Sequence, residues 1–173
     1  MGSIKVSIIF FPEDLQKAYM IHYKKNYPFR SLLIPVICAF LILIAIFLLL
    51  VSKPGEYSHT LALFFIAYAL VFIVYFIWKM KTLGKRMFNK IHEFKNTFEY
   101  EFSEEGVMAK CEGLVSSDIR WGYYHDAIID KDMVLLYPNK LKFNFFHKRY
   151  FTEDGFEQLK VWVKSNVSKI KYN

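Results

Sequence analysis

The sequence predicts a membrane protein of the α+β class, in which a two-helix transmembrane hairpin is attached to an antiparallel β domain closed by a C-terminal helix. Two observations support this prediction. Two long apolar runs contain no charged residue, and after residue 96 the apolar residues recur at every second position. Of the 173 residues, 54% are hydrophobic and 19% are aromatic, which excludes a disordered chain.

Both apolar runs are long enough to cross a bilayer, and together they define the hairpin 31–78. Residues 32–51 and 61–78 contain no Asp, Glu, Lys or Arg. A helix of about 20 residues spans the roughly 30 Å of a hydrocarbon core. Neither run has a polar face, which disfavours two buried helices of a soluble core. A signal peptide is disfavoured too, because no small-residue cleavage site follows the first run.

Basic residues flank the hairpin and predict its orientation. Residues 1–30 hold five basic residues against two acidic ones, whereas the link 52–60 holds one of each sign. A basic cluster follows directly after residue 78. The positive-inside rule therefore places both termini in the cytoplasm and the link outside. We expect a multi-pass protein of the bacterial cytoplasmic (inner) membrane.

Segment 79–95 is predicted to be a basic amphipathic helix at the membrane surface. Its apolar residues recur at intervals of three and four. Its main cations are Lys79, Lys81, Lys85, Arg86 and Lys90. Anionic headgroups attract each such cation by about 1 kcal/mol. The phospholipid bilayer therefore accounts for the net charge of +7, and nucleic-acid binding gains little support.

Segment 96–173 is predicted to be a small β domain with a C-terminal helix. Alternating apolar residues separated by turn residues predict six strands, over 97–102, 107–112, 116–121, 123–129, 133–137 and 141–146. A helix follows over about 152–167, and Thr152 is its predicted N-cap. Its apolar side is predicted to consist of Phe156, Leu159, Val163, Val167 and Ile170.

The N-terminal segment 1–30 is predicted to join this domain. Ile4, Val6 and Ile8 alternate with polar residues, as in a seventh strand, and Pro12 opens a helix. A lone strand would leave its backbone groups unpaired, whereas a strand within the sheet satisfies them. Seven antiparallel strands with a closing helix are the outline of a pleckstrin-homology-like (PH-like) domain, into which the hairpin is inserted.

Several motifs resemble those of the YcxB-like family of bacterial two-span membrane proteins, and the similarity extends over nearly the whole chain. The matching residues are Glu13-Asp14, Glu105-Gly106-Val107, Ile119-Arg120-Trp121 and His147-Lys148-Arg149-Tyr150-Phe151. The family commonly has an Ile-Pro-Lys-Arg-like stretch where this chain has Phe146-His147-Lys148-Arg149, so the proline is missing here. The resemblance implies a PH-like cytoplasmic part and gives no catalytic residues.

The sequence contains no recognisable catalytic, cofactor or metal motif. Its glycines form no nucleotide-binding pattern, and Cys38 and Cys111 have no histidine at ligand spacing. Ser117, Asp118 and His125 are the residue types of a catalytic triad, but no nucleophile elbow is present. The apolar runs lack the ionisable residues that a transporter needs. We therefore expect a protein that is not an enzyme and uses no cofactor.

Basic residues form the best candidate site. Lys140, Lys142, His147, Lys148 and Arg149 are predicted to gather at one strand end, where they could bind phosphate oxygens of lipid headgroups or a protein partner. Lys79, Lys81, Lys85 and Arg86 belong to the same predicted lipid- or partner-binding set. The alternative is a solvated basic rim facing anionic lipid. Trp121 is interpreted as a core anchor.

Two functions are compatible with these features. The first is a non-catalytic inner-membrane protein whose cytoplasmic PH-like domain binds a protein partner or anionic headgroups. The second is an immunity protein that neutralises a secreted toxin acting in or at the cytoplasmic membrane, since protection needs only a complementary surface. The sequence identifies neither a partner nor the oligomeric state, and a homo-oligomer is left open.

Overall fold

A computed structural model describes residues 2–111, 113, 115–140 and 142–173, with the backbone alone described at 30–32 and 115. The helices are α1 (Pro12–Asn26), α2 (Pro28–Val51), α3 (Tyr57–Lys81), α4 (Leu83–Lys90) and α5 (Glu153–Asn166). The strands are β1 (Ile4–Ile9), β2 (Thr97–Phe102), β3 (Gly106–Cys111), β4 (Val115–Arg120), β5 (Asp126–Ile129), β6 (Met133–Tyr137), β7 (Asn144–His147) and β8 (Lys169–Tyr172). The chain divides into two compact units. Met1–Lys25 and Gly84–Asn173 form the sheet unit, and Asn26–Leu83 forms the helical hairpin.

The sheet unit contains two four-stranded sheets, in the orders β1-β2-β3-β4 and β7-β6-β5-β8. Neighbouring strands are antiparallel except for β5 and β8, which are parallel. β1 pairs with β2 along its whole length, with Ile4 opposite Phe102 and Ile8 opposite Phe98. The strand that precedes the hairpin in the chain is thus hydrogen-bonded to a strand that follows it, as the sequence predicted.

A single hydrophobic core joins both sheets to α1 and α5. The ring of Phe102 in the first sheet meets the ring of Phe146 in the second sheet edge-on, at 5.0 Å between centroids. Phe156 and Leu159 of α5 are completely buried in this core. Burying each such side chain contributes about 1.5–3 kcal/mol, so the core is the main source of stability in this unit.

Two single-residue predictions are confirmed. Trp121 is only 2% exposed, and its indole Nε1–H donates a hydrogen bond to the Ser103 carbonyl oxygen at 2.9 Å. Thr152 caps α5, because its hydroxyl oxygen accepts a hydrogen bond from the Gly155 N–H at 3.2 Å. Both contacts satisfy polar groups that the fold would otherwise leave unpaired.

Several predicted strand ends differ from the structure. β5 begins at Asp126 instead of residue 123, because Trp121–Tyr123 form a 3-10 turn where the chain passes from the first sheet to the second. β7 begins at Asn144 instead of residue 141. The predicted strand ends at Glu112 and Leu141 lie outside the described residues.

The predicted position of Ile170 on the helix is wrong. α5 ends at Asn166, and the chain then extends into β8, where Ile170 pairs with Ala127 of β5. The backbone groups along that edge of β5 are thereby hydrogen-bonded, and Asn173 N–H adds a bond to the Ile129 carbonyl at 3.1 Å. Because β8 has only four residues, its alternation is too short to distinguish from a helical pattern.

The segment predicted as one helix over 79–95 is divided in the structure. α3 ends at Lys81, Thr82 forms its C-cap, and α4 is followed by a 3-10 turn over His92–Lys95. Gly84 lies against α1 and donates its backbone N–H to Gln16 Oε1 at 2.6 Å. A Cβ at position 84 would lie 2.5 Å from the Gln16 Cα, so only glycine allows this close approach.

In the helical hairpin, Leu33–Val51 and Tyr57–Lys81 are long and apolar enough to cross a membrane. Many of their large side chains are exposed: Leu50 is 82% and Phe47 65% exposed. Among the side chains that the structure describes in the hairpin, the buried apolar ones are small, namely Cys38, Ala45, Ala62 and Ala69. Small residues let two helices approach closely, as in membrane-embedded helix pairs. Only 11% of each apolar window is buried, which differs from the core helix of a soluble protein.

Candidate functional site

A buried carboxylate in the first turn of α1 is the centre of a polar cluster. Asp14 is only 1% exposed. Its Oδ1 lies 2.8 Å from Arg149 Nη2, and its Oδ2 accepts a hydrogen bond from the Tyr150 hydroxyl at 2.6 Å. The Tyr150 hydroxyl also lies 2.9 Å from the Ile9 carbonyl oxygen. Asp14 shares the buried face of α1 with Ala18 and His22, since these positions are four residues apart.

His147 and Arg149 complete this cluster, which we name the Asp14 cluster (Asp14, His147, Arg149 and Tyr150). His147 Nδ1 accepts a hydrogen bond from the Arg149 backbone N–H at 3.1 Å, so its Nε2 faces Asp14 Oδ1 at 4.0 Å. Burial lowers the pKa of His147, although the Asp14 carboxylate opposes that effect. Burial, together with the hydrogen bond to Asp14, raises the pKa of Tyr150.

The Asp14 cluster joins distant parts of the chain. Asp14 precedes the helical hairpin, whereas Arg149 and Tyr150 immediately precede α5. The Arg149 guanidinium also packs over the Phe11 ring, 5.6 Å from its centroid. Removing one member of a buried ion pair leaves an uncompensated charge and is strongly destabilising. The cluster therefore holds the N-terminal segment against the rest of the sheet unit.

The structure does not bring the predicted basic residues together as one open surface. His147 and Arg149 belong to the Asp14 cluster, and Lys148 Nζ lies 2.9 Å from Glu153 Oε1. Lys140 and Lys142 are exposed. The remaining four are divided between the units: Lys79 and Lys81 end α3 in the helical hairpin, whereas Lys85 and Arg86 are exposed on α4 in the sheet unit.

The sheet unit also contains a cavity of about 880 Å³, which we name the aromatic cavity. Its lining comes from α1, both sheets and the segment 87–94. Its lining residues are Phe10, Leu15, Tyr19, Met87, Lys90, Ile91, His92, Glu93, Phe94, Phe98, Tyr100, Val107, Ala109, Ser117, Ile119, Tyr124, Lys142, Phe143, Asn144 and Phe145. This volume falls within the range of about 300–1,000 Å³ that is typical of small-molecule sites.

Four of the aromatic residues form one wall of the cavity. The Phe10 ring contacts those of Phe94, Phe98 and Phe145 at centroid distances of 5.2, 5.6 and 5.0 Å. Such tilted and edge-on ring contacts stabilise a rigid arrangement of the rings. The wall is therefore preformed by packing within the sheet unit.

A few polar groups interrupt the apolar lining. Tyr124 Oη accepts a hydrogen bond from Asn144 Nδ2 at 3.2 Å. The Tyr100 hydroxyl makes no hydrogen bond within the part of the chain that the structure describes. Tyrosine hydroxyls are protonated at neutral pH and can donate hydrogen bonds to a ligand. Burial raises the pKa of both tyrosines further.

The chemistry of the cavity suits binding. Apolar cavities with a few convergent polar groups are typical ligand sites. Over the described residues, no three His, Cys, Asp or Glu side chains group in a way that could hold a metal ion.

No protein-family description, curated protein or solved structure matches the chain in sequence or fold. The geometry of this chain alone is thus the basis for assigning its function.

Sequence analysis missed both features, for different reasons. The buried face of α1 could have been found from the spacing of Asp14, Ala18 and His22, because polar residues at helical intervals beside Leu15 indicate a satisfied buried pair. The aromatic cavity had no comparable signal. Tyr100 and Asn144 are ordinary strand residues, and only the packing of the two sheets leaves space beside them.

Proposed function

We propose that this chain is a non-catalytic, membrane-anchored binding module of a bacterial cytoplasmic membrane. α2 and α3 span the bilayer, both termini are cytoplasmic, and the sheet unit binds anionic lipid headgroups. One observation supports this most directly. β1 and β2 pair although the whole helical hairpin lies between them in the chain. The sheet unit is therefore linked to the anchor by two connections, which keep it within reach of the membrane surface.

The PH-like character of the sheet unit is part of this proposal. The order of the elements supports it: four strands form one antiparallel meander, three more form a second, and a helix follows. β8 is an eighth strand, which the seven-stranded PH-like outline does not contain. The YcxB-like resemblance gains a physical rationale, because Asp14 and Arg149, from two of its matching motifs, form an ion pair.

The α4 surface is the best headgroup site in the sheet unit. Lys85 and Arg86 are exposed on α4, which follows directly after the helical hairpin. Each cation near an anionic bilayer contributes about 1 kcal/mol. A pair therefore gives weak binding alone, which suffices when an anchor already holds the unit at the surface. A protein partner is the other ligand that the sequence left open.

The proposal is tested by hydrogen exchange of the full chain in nanodiscs. We expect backbone amides of residues 83–95 to exchange more slowly in phosphatidylglycerol nanodiscs than in phosphatidylcholine nanodiscs. Lys85→Glu/Arg86→Glu should abolish that difference, whereas the control Lys110→Glu/Lys164→Glu, which makes the same charge change elsewhere, should keep it. Equal exchange of the unmodified protein in both lipids would contradict headgroup binding. Arg149 is unsuitable for this test because it stabilises the fold.

A further inference from the structure

We infer that the aromatic cavity binds a single-chain anionic amphiphile of the fatty-acid or lysophospholipid class. This inference deepens the proposed membrane-anchored binding role and depends on it for the source of the ligand. The cavity lies wholly within the sheet unit, so its existence does not depend on how that unit is oriented at the membrane.

The lining favours a flexible apolar chain. Phe10, Phe94, Phe98 and Phe145 provide one aromatic wall, and Val107 and Ile119 provide aliphatic surface from β3 and β4. Each methylene group that leaves water for such a surface strengthens binding by about fourfold, so affinity should rise with the length of the apolar chain.

The polar groups favour a headgroup with acceptor oxygens. Lys90 and Lys142 line the cavity and are exposed, and neither ammonium group has an ion-pair partner among the described residues. Glu93 contributes the one carboxylate of the described lining. Two ammonium groups against one carboxylate leave a net positive edge. Inside the cavity, the Tyr100 hydroxyl, which makes no hydrogen bond to a described residue, can donate one to a carboxylate or phosphate oxygen.

The membrane is the expected source of the ligand. In the proposed function the chain is anchored in the bilayer, where fatty acids and lysophospholipids partition, and the two connections between the helical hairpin and the sheet unit are short. Met87 and Phe94, which line the cavity, are only half-buried, so a bound apolar chain would cover apolar surface that is now accessible to water. An amphiphile satisfies both the apolar lining and the cations with one molecule.

The binding test uses the full chain in lipid-free amphipol and the fluorescent fatty acid 11-(dansylamino)undecanoate. We expect saturable binding with a blue-shifted emission, which palmitate and lysophosphatidylglycerol displace. Ser117→Phe should weaken binding at least about tenfold, because residue 117 lines the cavity. Ser116→Phe is the matched control, since the preceding residue of β4 is exposed and strand neighbours face opposite ways.

Two further sets of variants test the cavity and the role of its cations separately. If Ser117→Phe lowers the unfolding midpoint, Ile119→Phe on the same face of β4 replaces it. Lys90→Gln/Lys142→Gln should weaken palmitate binding about tenfold but leave binding of the uncharged monopalmitoylglycerol unchanged. Equal probe binding by the Ser116 and Ser117 variants would overturn the assignment to the cavity, and equal loss for both ligands would overturn the role of the cations. Neither result depends on the nanodisc exchange test of α4.

Discussion

The helical hairpin and the sheet unit bury opposite kinds of side chain. In the sheet unit the fully buried residues include large ones, such as Phe102, Phe146 and Phe156. Among the described residues of the helical hairpin the fully buried ones are alanines, and large side chains such as Phe47, Phe64 and Leu50 are exposed. Water drives large apolar groups inward, whereas lipid removes that driving force and leaves close packing as the main attraction. This contrast is the one expected of a helix pair in lipid and of a unit folded in water.

The two units also differ in whether their residues are continuous in the sequence. The helical hairpin is one continuous segment, and its two helices are neighbours in sequence. The sheet unit is discontinuous and is held together by the β1–β2 pairing and by the Asp14 cluster. Damage to either contact should therefore affect the sheet unit and spare the helices. The following predictions test that separation.

Deletion of residues 2–10 should have the largest effect. It removes β1, leaves the edge of β2 unpaired and takes Ile8 and Phe10 out of the core. We expect the cooperative unfolding of the sheet unit to disappear, while helicity in the hairpin persists. Near-UV circular dichroism in a Trp78→Phe background reports on Trp121 and Trp162, both buried in the sheet unit. An unchanged melting temperature would show that β1 is dispensable.

Asp14→Asn should destabilise the sheet unit by about 2 kcal/mol. The substitution replaces charge-assisted hydrogen bonds to Arg149 and Tyr150, each worth about 1.5–3 kcal/mol, with neutral ones. Arg149 is 46% exposed, so water recovers part of the loss. The guanidinium chloride midpoint of Trp fluorescence is the measurement. Glu13→Gln, the same change at the exposed neighbouring residue, should shift that midpoint little, and equal shifts for both would refute a special role for Asp14.

In the helical hairpin, enlarging a buried small residue should destabilise the helix pair more than truncating an exposed large residue. Ala45 is completely buried, so Ala45→Leu should overpack the α2–α3 contact and cost about 1–3 kcal/mol. Phe47→Ala, which removes a much larger side chain from an exposed position, should cost less. Loss of far-UV helicity during a titration with sodium dodecyl sulfate ranks the two variants. A larger loss for Phe47→Ala would mean that the outward face packs against protein and not against lipid.

The smallest expected effect is a pH dependence confined to the sheet unit. His22 is buried, its Nδ1 lies 2.9 Å from the Tyr137 hydroxyl, and its ring stacks on that of Phe143. Burial, reinforced by Lys171, lowers the pKa of His22 below its usual 6.5. The unfolded chain therefore binds more protons as the pH falls, so the stability that His22 contributes above pH 6.5 is lost below it.

Unfolding midpoints measured between pH 7.5 and 5.5 test whether the stability of the sheet unit falls as the pH falls. His22→Phe keeps the ring stack and removes the titrating group, so the midpoint should fall less steeply with pH than in the unmodified protein. Some slope should remain, because burial lowers the pKa of His147 in the same direction. His125→Gln, at an exposed histidine, is the matched control. A slope unaffected by His22→Phe would assign the dependence to other groups.

Local patterns in the sequence predicted the elements better than the sites. The charge-free runs, the Thr152 cap and the pairing of β1 followed from periodicity and from the need to satisfy backbone groups. β8 did not, because its pairing with β5 is a long-range event without a local signal. Charge alone also did not show that the predicted basic residues are divided in the structure. His147, Lys148 and Arg149 are used within the fold, because Asp14 and Glu153 come from elements whose proximity only the tertiary structure defines.

The central claim is that the helical hairpin lies in lipid and the sheet unit lies in the cytoplasm. Cysteine labelling of cells that produce the protein tests it most directly, with Lys53→Cys in the link and Glu104→Cys in the sheet unit. Both positions are exposed, whereas the native Cys38 and Cys111 are buried. We expect a membrane-impermeant maleimide to label Lys53→Cys in intact spheroplasts and Glu104→Cys only after permeabilisation. Labelling of both variants before permeabilisation, or recovery of the protein in the soluble fraction, would contradict the account.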